Sequence, residues 1–180
     1  LRQSTVARLV RVQRLLRARL HLGLCVLVGV VGLLFIFLRR LGVGAGGAAA
    51  SALLFGVNPA MLGASVWISG RTDVLSALFV LLGLISALSA RARGEGLWGM
   101  RTIGLGVCFL LGLMSKEMAV TLPLLVLLLP GRGHWRRLPM LGIAFGLYLV
   151  LRVSAVDGVL PSFAGDGAGV VFAEQGIGTR

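Results

Sequence analysis

Residues 20–38 run for 19 positions without a Lys, Arg, Asp or Glu. As an α-helix, such a run covers about 28 Å, close to the hydrocarbon thickness of a bilayer. Within a bilayer only helices and closed barrels satisfy every backbone polar group, and a run this long without alternation reads as helix. The pattern then recurs. Residues 41–57, 74–90, 102–114, 118–130 and 138–151 are apolar, with short polar turns between them. The expected fold is all-α, a multi-spanning integral membrane helical bundle of about six membrane passages. Two of these, 102–114 and 118–130, are short for a passage of about 20 residues. The whole chain carries only 13% charged residues, against about 25% in soluble domains.

The net charge of +12 comes from basic residues placed between apolar runs. No mixed polar domain is left to present a groove, which argues against nucleic acid and for charge flanking membrane spans. Residues 1–19 hold six of the arginines, interleaved with Val6, Leu9, Val10 and Leu16. They read as an interfacial basic helix on an anionic surface or as a solvated flank. Residues 20–153 form the transmembrane helical domain. Residues 154–180 are Gly-rich, carry Asp157, Asp166 and Glu174, and read as an outward-facing loop. The first residue is Leu1, and Arg180 ends no recognisable element, so the chain reads as a piece of a longer protein.

Three turns, at 39–40, 91–101 and 131–137, hold eight arginines. The positive-inside rule assigns them to the cytoplasm and puts the turns around 58–73 and 115–117 outside. Within 41–57, Gly42, Gly46 and Ala48 to Ala50 form a small-residue surface expected to pack inside the bundle. Asn58-Pro59 should end that helix. Cys25 and Cys108 lie in apolar runs and read as small hydrophobes. His21 and His134 read as interfacial side chains. No Cys/His spacing suits a metal, and no cofactor is implied.

Charge at membrane depth costs roughly 2.5–3.5 kcal/mol per residue on insertion scales. Two segments carry it nonetheless: Trp67-Ile68-Ser69-Gly70-Arg71-Thr72-Asp73, and Ser115-Lys116-Glu117. They are the candidate functional stations, with Lys116 and Glu117 expected to face a cavity. The local neighbours Arg71 with Asp73 and Lys116 with Glu117 read equally as structural polar pairs.

These stations, with the flanking Leu53-Leu54-Phe55-Gly56-Val57-Asn58-Pro59, Leu113-Met114 and Met118-Ala119-Val120-Thr121-Leu122-Pro123, resemble the GT-C membrane glycosyltransferases. The closest subgroup is the one often fused to tetratricopeptide repeats, which includes transmembrane O-mannosyltransferases. Leu147-Tyr148-Leu149-Val150-Leu151-Arg152 also fits, and the resemblance covers roughly residues 20–155. It implies an integral, multi-pass protein of a bacterial inner membrane or the endoplasmic reticulum. It further implies a polyprenyl-phosphate-linked sugar donor and a protein or glycan acceptor on the outer face. The family's catalytic carboxylate would lie upstream of Leu1. Arg71 and Lys116 would then hold the donor phosphate, Asp73 and Glu117 would orient those cations or an acceptor hydroxyl, and Trp67 would stack on a sugar. The chain departs from the subgroup at Asn58, where His is usual, at Gly63, where Glu is usual, and at Leu24 and Val28 after His21. The alternatives are an inactive relative anchoring a repeat domain, and a transporter-like bundle.

Overall fold

The computed structural model describes residues 2–59, 70–131 and 133–157, with backbone alone for 2–12, 14–20, 71, 156 and 157. Every regular element among them is helical: α1 (Arg2–Arg40), α2 (Ala45–Gly56), α3 (Gly70–Ala92), α4 (Met100–Ser115), a 3₁₀ turn (Glu117–Thr121), α5 (Leu122–Leu128), a second 3₁₀ turn (His134–Arg137) and α6 (Leu138–Asp157). Three helical stretches are long and apolar enough to cross a membrane: His21–Arg40, Thr72–Ala92 and His134–Ala155. Three others, Ala45–Gly56, Met100–Ser115 and Glu117–Leu128, fall short of that length. The six expected passages thus reduce to three of spanning length among the described residues. Several runs counted as helix include turn residues that are merely apolar, Leu41 and Val43 among them.

The chain direction follows from its contacts. Arg40, ending α1, donates to Ser89 Oγ near the end of α3, and Leu27 and Val30 share a buried cluster with Val74 at the start of α3. The two helices therefore run parallel. Ser115 Oγ donates to Thr72 O at 3.0 Å, and Gly104 approaches Ser86, so α4 runs antiparallel to α3. Leu122 packs against Gly83 and Arg91 donates to Pro130 O, which sends α5 back alongside α3. Met140 meets Gly106 and Arg152 reaches Glu117, so α6 runs parallel to α4. Successive elements thus alternate in direction between two ends of the bundle. The arginine-bearing turns gather at one end. Asp73, Lys116, Glu117 and Arg152 gather at the other.

The core lies between α3, α4, α5 and α6: Leu84, Leu105, Phe109, Leu122, Val126 and Leu141 are all buried there. The outward faces remain apolar, as Val107, Leu111, Leu147 and Val150 illustrate. A surface of that kind suits lipid rather than water. Among the spanning stretches, that of α3 has 33% of its length buried, against 17% for α1 and 22% for the last, so α3 is the central post.

Four boundaries differ from expectation. The helix of α1 continues unbroken through the basic segment from Arg2, since Arg, Leu and Val all tolerate helix. Gly42, at φ +90°, belongs to the turn after α1 rather than to a helix. Among the described residues the small-residue helix α2 is not enclosed. It packs on α1 through Ala48 and Ala52, while Gly46 faces open space and Leu53, Leu54 and Val57 are exposed. Arg152 does not end the last helix, which runs on to Asp157; residues 158–180 lie outside the described residues.

Candidate functional site

The second station is built by a chain reversal. α4 ends at Ser115, and Lys116 leaves the helix in an extended conformation, φ −159° and ψ 142°. Its own N–H still closes the last turn on Gly112 O at 2.9 Å, and its carbonyl accepts from Ala119 N at 3.2 Å. The 3₁₀ turn then folds back toward α4. It comes so close that a Cβ on Gly112 would lie 3.0 Å from that of Ala119. Pro123 falls in the first turn of α5, where its missing N–H costs no hydrogen bond. A helix of 16 residues, a 3₁₀ turn and a helix of seven residues thus follow one another around Lys116 and Glu117.

The first station enters as the opening turn of α3, which starts at Gly70 and places Asp73 in its first turn. A carboxylate there complements the exposed N–H groups and the helix dipole. Lys116 Nζ donates to Asp73 Oδ1, joining two stations 43 residues apart in sequence. Glu117 turns the other way and accepts from Arg152 Nη1 at 2.9 Å. Arg152 Nη1 also donates to the Tyr148 hydroxyl, and its guanidinium carbon lies 5.8 Å from the centre of that ring. Lys116 and Glu117, neighbours in sequence, thus each pair with another helix rather than with each other; the side chain of Arg71, expected beside Asp73, lies outside the described residues.

The two pairs differ in exposure. Lys116 and Asp73 are 35% and 37% exposed, Arg152 and Glu117 53% and 69%. Lys116, Glu117, Tyr148 and Arg152 line a cavity of about 220 Å³. Sequence reasoning missed Tyr148 and Arg152 as members of the site. The signal was present in an aromatic and a cation four residues apart, on one face of the helix that must follow α5. Of the expected site residues, Asp73, Lys116 and Glu117 come together. Arg71 shares the first turn of α3 by its backbone, and Trp67 lies outside the described residues. Among the described residues no group of three or more His, Cys, Asp or Glu could hold a metal ion.

Two larger cavities lie at the opposite end. One of about 740 Å³ is lined by Arg40, Ser89, Arg91, Arg93 and Arg101. Its neighbour, about 400 Å³, is lined by Arg91, Glu95, Arg136 and Arg137. Glu95 accepts from Arg101 N at 2.9 Å and from its Nη1 at 2.7 Å. The first of these bonds is the main reason its carboxyl titrates below the ordinary value, and the guanidinium adds to it. His134, expected at an interface, is 2% exposed, with Nε2 at 3.4 Å from Pro130 O. The 3₁₀ turn His134–Arg137 tucks its first and last residues inward and leaves Trp135 and Arg136 outside.

Comparison with known proteins finds no matching family, no matching curated sequence and no matching solved structure.

Proposed function

We propose that this chain is the membrane part of a GT-C-type glycosyltransferase, moving a sugar from a polyprenyl-phosphate donor to an extracytoplasmic protein or glycan acceptor. The observation that carries this reading is the meeting of Asp73, Lys116, Glu117, Tyr148 and Arg152 at the end of the bundle remote from the arginine turns. In this reading the three short helical segments complete six passages with the three long ones, and the arginine end lies in the cytoplasm. The leaving group is a polyprenyl phosphate, on which negative charge grows as the glycosidic bond breaks. Preorganised cations at that position stabilise the transition state more than the bound donor. Lys116 supplies a point charge held in place by Asp73. Arg152 supplies a planar fork suited to phosphate oxygens and held by Glu117 and Tyr148. Arg71, in the first turn of α3, is the third candidate cation.

The test is sugar transfer by the complete protein in membranes. Lys116→Ala and Arg71→Ala should each abolish transfer while insertion and amount of protein stay unchanged. Normal transfer by both variants would sink the phosphate-holding role. A second reading, an inactive relative that anchors a repeat domain, is favoured by one observation. Lys116 and Arg152 each already face a carboxylate, so their charges are compensated in place. That reading expects no transfer from the unmodified protein with any polyprenyl-phosphate sugar.

A further inference from the structure

The arginine end presents a different balance. Arg40, Arg91, Arg93, Arg101, Arg136 and Arg137 line its two cavities, and among the described residues Glu95 is the one acidic residue in either lining. Arg91 lines both, so the two volumes share a wall. Its guanidinium lies directly over Gly131, where a Cβ would collide with it, and it donates to Pro130 O. Arg40 donates to Ser89 Oγ. Both are therefore aimed by neutral oxygens, which fix direction without cancelling charge. Arg137 is 6% exposed, and its Nε and Nη1 have no hydrogen-bond partner among the described residues. A buried guanidinium with unmatched donors is costly unless something anionic completes it.

We propose that this end is a binding site for a multiply charged phosphate anion, such as a bisphosphate or diphosphate group. Guanidinium forks match phosphate oxygens in pairs. Arginines contributed by α1, α3, α4 and the second 3₁₀ turn surround the group, so one ligand ties four elements together. A lone carboxylate would leave most of this positive charge uncompensated. The same chemistry has two sources, a bisphosphate lipid headgroup from the bilayer or a free diphosphate from solution. Basic pockets between membrane helices on the cytoplasmic side take lipid headgroups of this type.

The experiment is native mass spectrometry of the complete protein released from detergent, titrated separately with cardiolipin and with inorganic pyrophosphate, and with phosphatidylcholine as the neutral control. The comparison variant is the double substitution Arg40→Gln with Arg93→Gln. Both side chains are exposed, so the fold does not rest on them, and an unchanged melting temperature verifies this. Binding of cardiolipin above the phosphatidylcholine level, weakened by about tenfold or more in the variant, supports the site and assigns it to lipid. The same result with pyrophosphate supports the site and assigns it to a soluble anion. Absence of binding by both, or binding equal in protein and variant, overturns the proposal. The variant leaves Lys116 and Arg71 intact, so the outcome is independent of the transfer assay.

Discussion

The two ends of this bundle use cations in opposite ways. At one end, Lys116 and Arg152 each face a carboxylate from another element. At the other, six arginines line two cavities with Glu95, which Arg101 engages, while Arg40 and Arg91 lean on a hydroxyl and a carbonyl oxygen. The first arrangement sets positions with little net field. The second keeps a strong field and leaves it unsatisfied. A paired end resists misplacement of its own side chains, and an unpaired end waits for something from outside.

The sharpest way to break this comparison is to ask whether the ends lie on opposite sides of a membrane. In a background of Cys25→Ser and Cys108→Ser, Met118→Cys and Trp98→Cys place single thiols at exposed positions of the two ends. An impermeant maleimide should label position 118 in intact cells and position 98 only after lysis. Equal labelling of both would remove the two-sided reading.

Next in size is a packing effect confined to one end. Gly112→Val sets a branched side chain against Ala119, at a contact already near 3.0 Å for a Cβ. Overpacking of this kind costs about 1–3 kcal/mol. Thermal unfolding in detergent should show the loss, and sugar transfer should fall with it. Pyrophosphate or cardiolipin binding at the arginine end should hold. Loss of both together would mean that the ends are not independent.

Smaller still is the difference between the two ion pairs. A double-mutant cycle on Asp73 and Lys116 should give a coupling of about 0.5–1 kcal/mol. The more exposed pair of Glu117 and Arg152 should give a smaller coupling. Raised salt should erase the second before the first. A reversed order would show that Tyr148 holds Arg152 more firmly than exposure suggests.

The smallest effect concerns Glu95. Its carboxyl titrates below the ordinary value of 4.5, first through the N–H of Arg101. A lowered folded value means that the stabilisation is complete above the ordinary value and is lost as pH falls through the lowered one. The melting temperature should therefore decline slightly more between pH 5 and pH 3 in the unmodified protein than in Glu95→Gln, as measured by scanning fluorimetry. An identical decline would show that the bond to Arg101 contributes nothing.

The helical class and the polar turn after α4 could be read from residues alone, because an absence of charge over a bilayer's width leaves few structures available. The partners in the site could not. Asp73 meets Lys116, which stands 43 residues away. Lys116 is extended and Glu117 opens a 3₁₀ turn, so adjacent side chains diverge toward different helices. Which helix each one meets depends on how α3 and α6 pack around α4, and no local pattern encodes that. Arg152 was read as the end of a span because charge ends apolar runs. Its long side chain instead lets the helix continue while the charge turns back to Glu117. The burial of His134 and Arg137 was hidden in the same way, in a turn that looked basic and outward.

The length of α4 acts as a ruler. Its 16 residues rise about 24 Å, against a hydrocarbon layer of about 30 Å. In the proposed six-passage reading, with Arg101 in its first turn at one boundary, the backbone of Lys116 stops about 6 Å short of the other, and a lysine stem bridges such a gap. On that proposal, inserting one helical turn would lift the cation clear of the headgroup depth, and deleting one would leave it among lipid tails. The depth of the charge would then be set by a residue count rather than by any single side chain.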